Sequence, residues 1–553
     1  MVTEQRHRIR RQVLELHAPD EDSARRVQPE LSRIQRQQLE SIIEQCCSEL
    51  SAPDRVHRID LLEIDLGTVD FGRLESELPK KLKSVMRKAL ARQIEQQDTE
   101  ARRRDRAPAV TSQLELLAFF AATGTLPWWA DYANPRLIPD TLESLLDHAP
   151  DRLADLLRTT VRERTQGLRF VLHCDDATMF GLLRAVMAAS PSSASSLRQQ
   201  TEAILTTWSH LPGANIAPIR NLFWLSLVRQ AAADAASAPS ESFWQQVFGE
   251  IQMQSHDAYV SLVIGMQRAA RSSRDKASAQ LAPLLCVLFA DRRSRAFVKL
   301  PAEVQVELAQ FLGERATKAT EPPTGEQAYA PTDRSGTIES SGGTDKLESS
   351  DVSETRDSLS EAPRPDTANR AHLHLRQAEL LDLDFGDADT VYIENSGLVL
   401  LWPFLPRFLE RLHLVEDGKF KDSPAQHRAV GLLQHLVTED PSPPEYQTTL
   451  NKVLCGLDPA ALLEFGPPVT EIETEECATL LSSVIAQAPI LHDMSIAGFR
   501  GSFLLRKGLL SARDGVWLLR VERETYDVVL DRFPWSVNWV RFPWMEVPLG
   551  VEW

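Results

Sequence analysis

The sequence lacks long hydrophobic runs, and it has few cysteines for its length. Its most apolar stretch, LLAFFAATGTLPWWA from Leu116, is interrupted by Gly124 and Pro127, so no segment reaches the roughly 18 apolar residues of a membrane-spanning helix. No apolar segment follows the arginines near Met1, which argues against a secretory signal. The 6 cysteines are scattered, and we interpret them as reduced core thiols of a cytosolic protein rather than a disulfide framework.

Clustered positive charge is also missing, since the formal net charge is −17. This balance argues against a nucleic-acid-binding protein, because such proteins neutralise phosphates with clustered Lys and Arg. The motifs of nucleotide-binding loops, serine hydrolases and zinc proteases are absent, and no trio of Ser, His and Asp stands out. The sequence therefore predicts no enzyme, no catalytic residue and no cofactor.

Three segments contain metal-binding residue types, and each has a simpler interpretation. Cys46 and Cys47 are adjacent and lack the Cys-x₂₋₄-Cys spacing of zinc sites, which favours core packing. His372 and His374 would share one face of a strand, but no further ligand follows at a suitable spacing. The acidic segment DLDFGDAD (382–389) lacks the glycine turn and the final glutamate of a calcium-binding loop, which favours a solvated acidic edge. We predict no metal site.

Residues 1–100 predict a small βαβα domain. His7–His17 is a candidate strand, and apolar residues at helical spacing follow over Ser23–Leu50. In VHRIDLLEIDLG (56–67), apolar residues alternate with acidic ones as in a half-buried strand, and a second helix starts at Leu74. Because two strands alone are only marginally stable, we expect the sheet to be completed elsewhere in the chain or by a second copy.

Three further regions follow this domain. Residues 110–315 predict a helical block, arranged either as stacked helical pairs or as a bundle. Residues 316–370, rich in Ser, Thr, Pro and acidic residues without periodicity, predict a disordered acidic linker between two independent halves. Residues 371–553 predict a C-terminal α+β domain that is helical at first, with helices expected over Leu398–Leu414 and His427–Val437. It ends in a short Trp-rich strand meander from Val516, in which Tyr526–Leu530 is a candidate strand. The predicted fold class is α+β, mainly α-helical.

Aromatic residues are densest near the C-terminal end, where 5 of the 11 Trp follow Val516. Three Pro-Trp pairs, at 127–128, 534–535 and 543–544, are either rigid elbows within a core or partner-facing anchors. If aromatic residues bind a partner, we expect the following to do so: Trp402, Phe404, Trp535, Trp544 and Trp553. Their packing into the core is the favoured alternative.

Several sequence blocks resemble, in order, those of the tape measure family of contractile injection systems, phage-tail-like particles in which a sheath surrounds an inner tube. The N-terminal blocks are HRIRRQVLELHAPDEDSARRVQPELSRI, HRIDLLEIDLGTVD and GTLPWW. The C-terminal blocks are ENSGLVLLWPFLPRF, RAVGLLQHL, PEYQTTLNKVLCGL, GFRGSFLLRKGLL and DRFPWSVNWVRFPWMEVPLGVEW. The resemblance covers roughly residues 1–100, 110–130 and 391–553, and not the helical middle or the linker.

This resemblance implies a structural assembly protein that sets the length of the inner tube and sheath, as a tether between the baseplate hub and the growing tube tip. The implied partners are inner tube proteins and baseplate, hub or cap proteins, with no nucleic acid and no membrane, and a homo-oligomer is compatible with this role. The implied location is the cytoplasm during assembly and the tube lumen of the particle. The alternative is a tube-capping or baseplate assembly factor of the same particle without a measuring role.

Overall fold

A computed structural model describes the protein at residues 7, 9, 12–15, 17, 20–50, 57, 59, 61–103, 108–187, 191–210, 216–233, 241–271, 276–291, 295–319, 390–440, 443–464, 468–491, 494–513 and 515–553. Met1–Pro301 and Asp389–Trp553, which flank the predicted linker, belong to one compact unit. Ala302–Ala388 forms a second unit, whose described part is the helix Ala302–Ala319. Apart from 316–319 in that helix, the predicted linker lies outside the described residues.

The N-terminal region contains the predicted helices but not the predicted strands. Its helices are α1 (Glu21–Ile34), α2 (Glu40–Leu50) and α3 (Leu74–Arg103), and a π-helical turn, Gln35–Leu39, joins the first two. No strand occurs among the residues described within 7–17 and 57–70, which corrects the βαβα prediction. Leu62, Ile64 and Leu66 do alternate between exposed neighbours, but they pack on the core of the three helices and not in a sheet.

Residues 108–301 form the predicted helical block. Consecutive helices pack as neighbours in several places, for example α10 on α11 and α12 on α13 in the order below. Local signals start individual helices: α6 begins at Pro150, whose fixed φ suits a first helical turn, and Asp175 accepts a hydrogen bond from Thr178 N at 2.8 Å to cap α8. The helices are α4 (Pro108–Thr123), α5 (Leu137–His148), α6 (Pro150–Thr160), α7 (Arg164–His173), α8 (Asp176–Val186), α9 (Pro191–Thr206), α10 (Ile216–Ala233), α11 (Glu241–Gln254), α12 (His256–Arg271), α13 (Lys276–Leu288) and α14 (Arg295–Val298).

After α15 (Ala302–Ala319), residues 390–553 combine helices with a small sheet. The helices are α16 (Leu405–Arg411), α17 (Ser423–Thr438), α18 (Thr449–Leu454), α19 (Glu471–Gln487) and α20 (Ile496–Phe499). The strands are β1 (Thr390–Ile393), β2 (Val415–Glu416), β3 (Lys419–Phe420), β4 (Gly508–Arg513), β5 (Val516–Val521), β6 (Trp539–Val540) and β7 (Leu549–Glu552). Strands β2 and β3 form a separate hairpin, and the others form a sheet in the order β1-β4-β5-β7-β6.

The sheet differs from a simple meander. Strand β5 pairs with β7 in parallel, with Leu519 opposite Val551, whereas the other pairs are antiparallel. The predicted strand Tyr526–Leu530 is wrong, because Thr525–Arg532 is a 3₁₀ helix that a reciprocal Glu524 and Asp527 capping box begins. The predicted helix over 398–414 is two pieces, a 3₁₀ stretch Ser396–Leu401 and then α16.

Close packing around Gly397 leads to a prediction about stability. A Cβ on Gly397 would lie 1.7 Å from the carbonyl oxygen of Phe503, whereas a Cβ on Gly501 would meet nothing within 4 Å. Because backbone cannot move aside as a side-chain end can, we expect Gly397→Ala to lower the free energy of unfolding by about 3 kcal/mol or more. Gly501→Ala, the matched control, should change it by less than about 1 kcal/mol. Urea denaturation followed by circular dichroism measures both, and equal effects would contradict this packing.

Candidate functional site

A group of buried charged side chains connects the helical block to residues 390–553. Arg169 lies on α7, Glu445 in a 3₁₀ turn, and Lys452 on α18. The three side chains are 1% exposed or less. Together with Gly124 and His173 they form what we call the joint.

Arg169 donates from all three of its guanidinium nitrogens. Nη1 donates to the carbonyl oxygens of Ala121 at 2.7 Å and Ala122 at 3.0 Å, in the last turn of α4. Nε donates to the Glu445 carboxylate, 3.2 Å from Oε2, and Nη2 donates to the carbonyl of Ala460. The last carbonyls of a helix lack partners within it and carry its negative dipole end, so a cation placed here satisfies both.

Glu445 is the one anion among the three charges. Lys452 Nζ donates to Glu445 Oε1 at 2.8 Å and to the carbonyl of Pro459 at 2.9 Å. Burial lowers the pKa of Lys452, and the neighbouring Glu445 carboxylate opposes that change. Two cations therefore share one carboxylate, and backbone carbonyls supply the other acceptors.

The absence of a side chain at Gly124 leaves space for the side chains of Glu445 and Arg169. It follows α4 with φ +70, in the left-handed region that favours glycine. A Cβ at this position would lie 2.5 Å from Glu445 Oε1 and 3.0 Å from Arg169 Nε. The first residue of the GTLPWW block is thus fixed both by its backbone conformation and by the ion pair against it.

His173 is held in one neutral tautomer. Its Nδ1 lies 2.8 Å from the carbonyl oxygen of Arg169, which only accepts, so Nδ1 carries the proton. Its Nε2 accepts from the backbone N–H of Glu445 at 3.1 Å. Burial lowers the pKa of His173, with the charge of Glu445 acting in the opposite direction. Protonation would remove the acceptor for Glu445 and add a cation beside Arg169.

The residues after Glu445 extend the contact with the helical block. Tyr446 donates through its hydroxyl to the carbonyl of Asn134, and Gln447 Nε2 donates to the carbonyl of Tyr132 at 3.1 Å. The ring of Tyr446 also meets Phe120 edge-on, with centroids 6.1 Å apart. Two blocks of the sequence resemblance, GTLPWW and PEYQTTLNKVLCGL, therefore meet in the structure.

The residues of the joint are not evident from the sequence. Gly124, Glu445 and Lys452 fall within blocks of the resemblance, but spacing offers no reason to pair them. The available signal is a charged residue inside an apolar segment, as for Arg169 in GLRFVLH and Lys452 in NKVLCG. Such residues are seldom fully buried unless they are paired.

The predicted partner-binding residues lie elsewhere, and the first three are close together. Trp402 donates from Nε1 to the carbonyl of Ser536 at 2.8 Å, and Trp535 donates to the carbonyl of Leu400 at 3.0 Å. The ring of Phe404 meets that of Trp535 edge-on, with centroids 5.2 Å apart. All three predicted residues are half-buried and pack on the C-terminal core.

The other two predicted residues also have partners within the chain. Trp544 donates to the carbonyl of Leu454 at 2.9 Å and stacks on Phe542 with centroids 5.0 Å apart. Trp553 donates to Asp527 Oδ2 at 3.0 Å. These contacts support the core-packing alternative, and partner binding through the exposed parts of the rings stays a prediction.

The described part of the chain contains neither a candidate metal site nor a candidate membrane span. No group of three or more His, Cys, Asp or Glu there could hold a metal ion, and no helix there has the length and apolar character to cross a bilayer. Cys46 is buried and Cys47 partly so, as free thiols. His372, His374 and the acidic segment 382–389 lie outside the described residues.

The charges of the joint pair with one another and with backbone carbonyls, as in a structural contact.

A family model, "Contractile injection system tape measure protein", matches residues 6–553. The chain therefore belongs to the contractile injection system tape measure protein family, and the resemblance stated from its sequence blocks is confirmed. It matches none of the curated proteins and none of the solved structures with which it was compared. Membership gives it a structural role in tail length within a particle that contains tube proteins, consistent with the prediction of no enzyme activity.

The unequal charges of the joint predict unequal effects of two neutral substitutions. Glu445→Gln leaves two buried cations without a counter-charge, so the free energy that keeps the joint closed should fall by about 3–5 kcal/mol. Lys452→Met leaves one balanced ion pair and removes two hydrogen bonds, so the loss should be about 2 kcal/mol. Amide hydrogen exchange of peptides covering 121–126 and 445–452 reports this opening. Equal losses in the two variants would contradict the charge account.

The neutral state of His173 predicts sensitivity to acid. Because its pKa in the folded protein lies below the ordinary 6.5, the unfolded chain takes up the proton first as pH falls. The stability that His173 contributes is complete above pH 6.5 and declines below it, by up to about 1.4 kcal/mol per pH unit. Burial also lowers the pKa of His427 and His435, which adds to the slope.

His173→Gln retains a donor and an acceptor without a titrating group. We expect this variant to flatten, but not abolish, the dependence of the free energy of unfolding on pH between 6.5 and about 5, measured by urea denaturation at each pH. An unchanged slope would show that His173 titrates alike in the folded and unfolded chain.

Proposed function

We propose that this protein is the tape measure that sets the length of the inner tube and sheath of a contractile injection particle. The match of the tape measure family model to residues 6–553 carries the proposal. The protein acts during assembly in the cytoplasm and lies in the tube lumen. Inner tube proteins and baseplate, hub or cap proteins bind it near its ends.

A single rigid helix is a poor description of how this chain measures. As one helix it would reach about 830 Å at ~1.5 Å per residue. The described helices are instead short, and the longest of them is Leu74–Arg103. We therefore assign the measuring role to residues 316–370, whose composition predicts a linker and which would reach at most about 190 Å at ~3.4 Å per residue.

Particle length after deletion tests this assignment. Removal of about forty residues within 316–370 should shorten the modal particle length by roughly 60 to 140 Å, the range between helical and extended chain. A matching insertion should lengthen the particles. Negative-stain electron microscopy of purified particles measures both.

The matched control replaces the same residues with a Gly/Ser sequence of equal length. It should leave the modal particle length unchanged, because the number of linker residues and not their composition sets that length. Unchanged particle lengths after the deletion would contradict the measuring role of this segment. They would favour a tube-capping or baseplate assembly factor, whose effect does not scale with chain length.

A further inference from the structure

Residues 390–553, which we call the C-terminal module, have a hydrophobic core of their own. The buried members of this core run from Ile393 to Val551, and the partly buried side chains packed on it run from Val391 to Trp553. Among the residues that the structure describes, none before 391 belongs to this cluster. The module therefore buries most of its apolar surface by itself, whereas the rings of Tyr446 and Tyr392 pack on Phe120 and Tyr132 of the helical block.

Several polar contacts join the module to the helical block. Glu445 meets Arg169 and His173, and the side chains of Tyr446 and Gln447 donate to backbone carbonyls of the helical block. Ring contacts add to these, such as Tyr132 against Tyr392 with centroids 5.8 Å apart. Polar contacts of this kind are typical of docking between preformed domains rather than of one continuous core.

The covalent connection between the two parts is indirect. The chain leaves the first unit after Pro301 and returns to it at Asp389, with the second unit, Ala302–Ala388, in between. No short loop ties the module to the helical block. The docking contacts, and chiefly the joint, therefore hold the two parts together.

We infer that the joint is a reversible latch, in which the C-terminal module docks on the helical block and can separate from it while both parts stay folded. Opening separates Arg169 from Glu445 and returns both to water, whereas Lys452 keeps Glu445 as its partner within the module, so recovered hydration offsets much of the one lost ion pair. Opening also exposes the rings of Tyr446 and Phe120, which meet across the contact, but it leaves the core cluster of the module intact.

The consequence for assembly rests on the proposed function. While the latch is closed, the segment 302–388 begins and ends on the same unit. Such a segment cannot set a distance between the module and the helical block. A tether that measures between these two parts therefore requires the latch to open during assembly.

Cleavage of the full chain tests the latch directly. A specific protease site is inserted between Gly342 and Gly343, the purified protein is cleaved under native conditions, and size-exclusion chromatography with light scattering follows at neutral pH. We expect the two wild-type fragments to elute together as a one-to-one complex. After the same cleavage, Glu445→Gln should raise the dissociation constant between the fragments by more than about 100-fold.

Each separated Glu445→Gln fragment should keep cooperative thermal unfolding, measured by circular dichroism. Tyr446→Phe, a milder variant, removes one hydrogen bond across the contact and should raise the dissociation constant by about tenfold. It keeps the test decisive if Glu445→Gln does not fold.

Glu473→Gln is the matched control. Glu473 accepts from Arg428 Nε at 2.8 Å, and both residues lie within the module. Its fragments should therefore stay together as in the wild type.

Three results would overturn the latch: separation of the wild-type fragments, no weakening in Glu445→Gln and Tyr446→Phe, or unfolding of the fragments once they separate. Because this experiment needs no particle, a particle length that ignored the linker would refute the measuring role and leave the latch intact.

Discussion

Arg169, Glu445 and Lys452 lose almost all contact with water, and the geometry around them follows from that loss. Removing one ion from water costs several kcal/mol after relaxation, so the partners of these charges must be nearly complete. Carbonyls at the end of α4 and at Pro459 and Ala460 provide them. A small shift of any of these segments would leave a charge unpaired, so the cluster defines one docked arrangement.

Because two folded parts dock through polar contacts, this chain differs from a ruler made of one long helix. A ruler made of one long helix would keep its ends far apart at all times. Here Pro301 and Asp389 belong to one unit, although they bracket the segment 302–388. Folded domains that dock through a charged joint can stay together or separate, so chain length alone does not fix the distance between them. The physical question for length control is then the strength of the joint as well as the number of residues.

The sequence predicted the helices well because helical spacing of apolar residues is a local signal. The helix expected at His427–Val437 is part of Ser423–Thr438, and the boundaries differ because Asp422 caps the helix by accepting from Ala425 N at 2.7 Å. The strands were harder to predict, because each strand pairs with another that is distant in the chain. Thr390–Ile393 pairs with Gly508–Arg513, and no local pattern specifies that pairing.

The joint could not be predicted for a similar reason. Arg169 and Glu445 are 276 positions apart. The sequence also does not distinguish a buried arginine from a solvated one. The apolar residues around Arg169 indicated a buried helix without indicating its partner. The alternation of apolar residues around Ile64 predicted the half-buried side chains correctly. It did not predict that they pack on helices rather than in a sheet.

The parallel pairing of Val516–Val521 with Leu549–Glu552 gives two of the C-terminal tryptophans, Trp535 and Trp544, a structural role. A parallel pair requires a crossover of a dozen or more residues, which is usually a helix. Here the crossover has a 3₁₀ helix and the short strand β6, so much of it lacks a backbone ladder to hold it. Trp535 and Trp544 lie on it and donate to carbonyls of the core, and Trp402 donates from the core to it. Each ring adds apolar contact and one directional hydrogen bond, which together fix an irregular segment. A partner could then contact these rings only where they remain exposed.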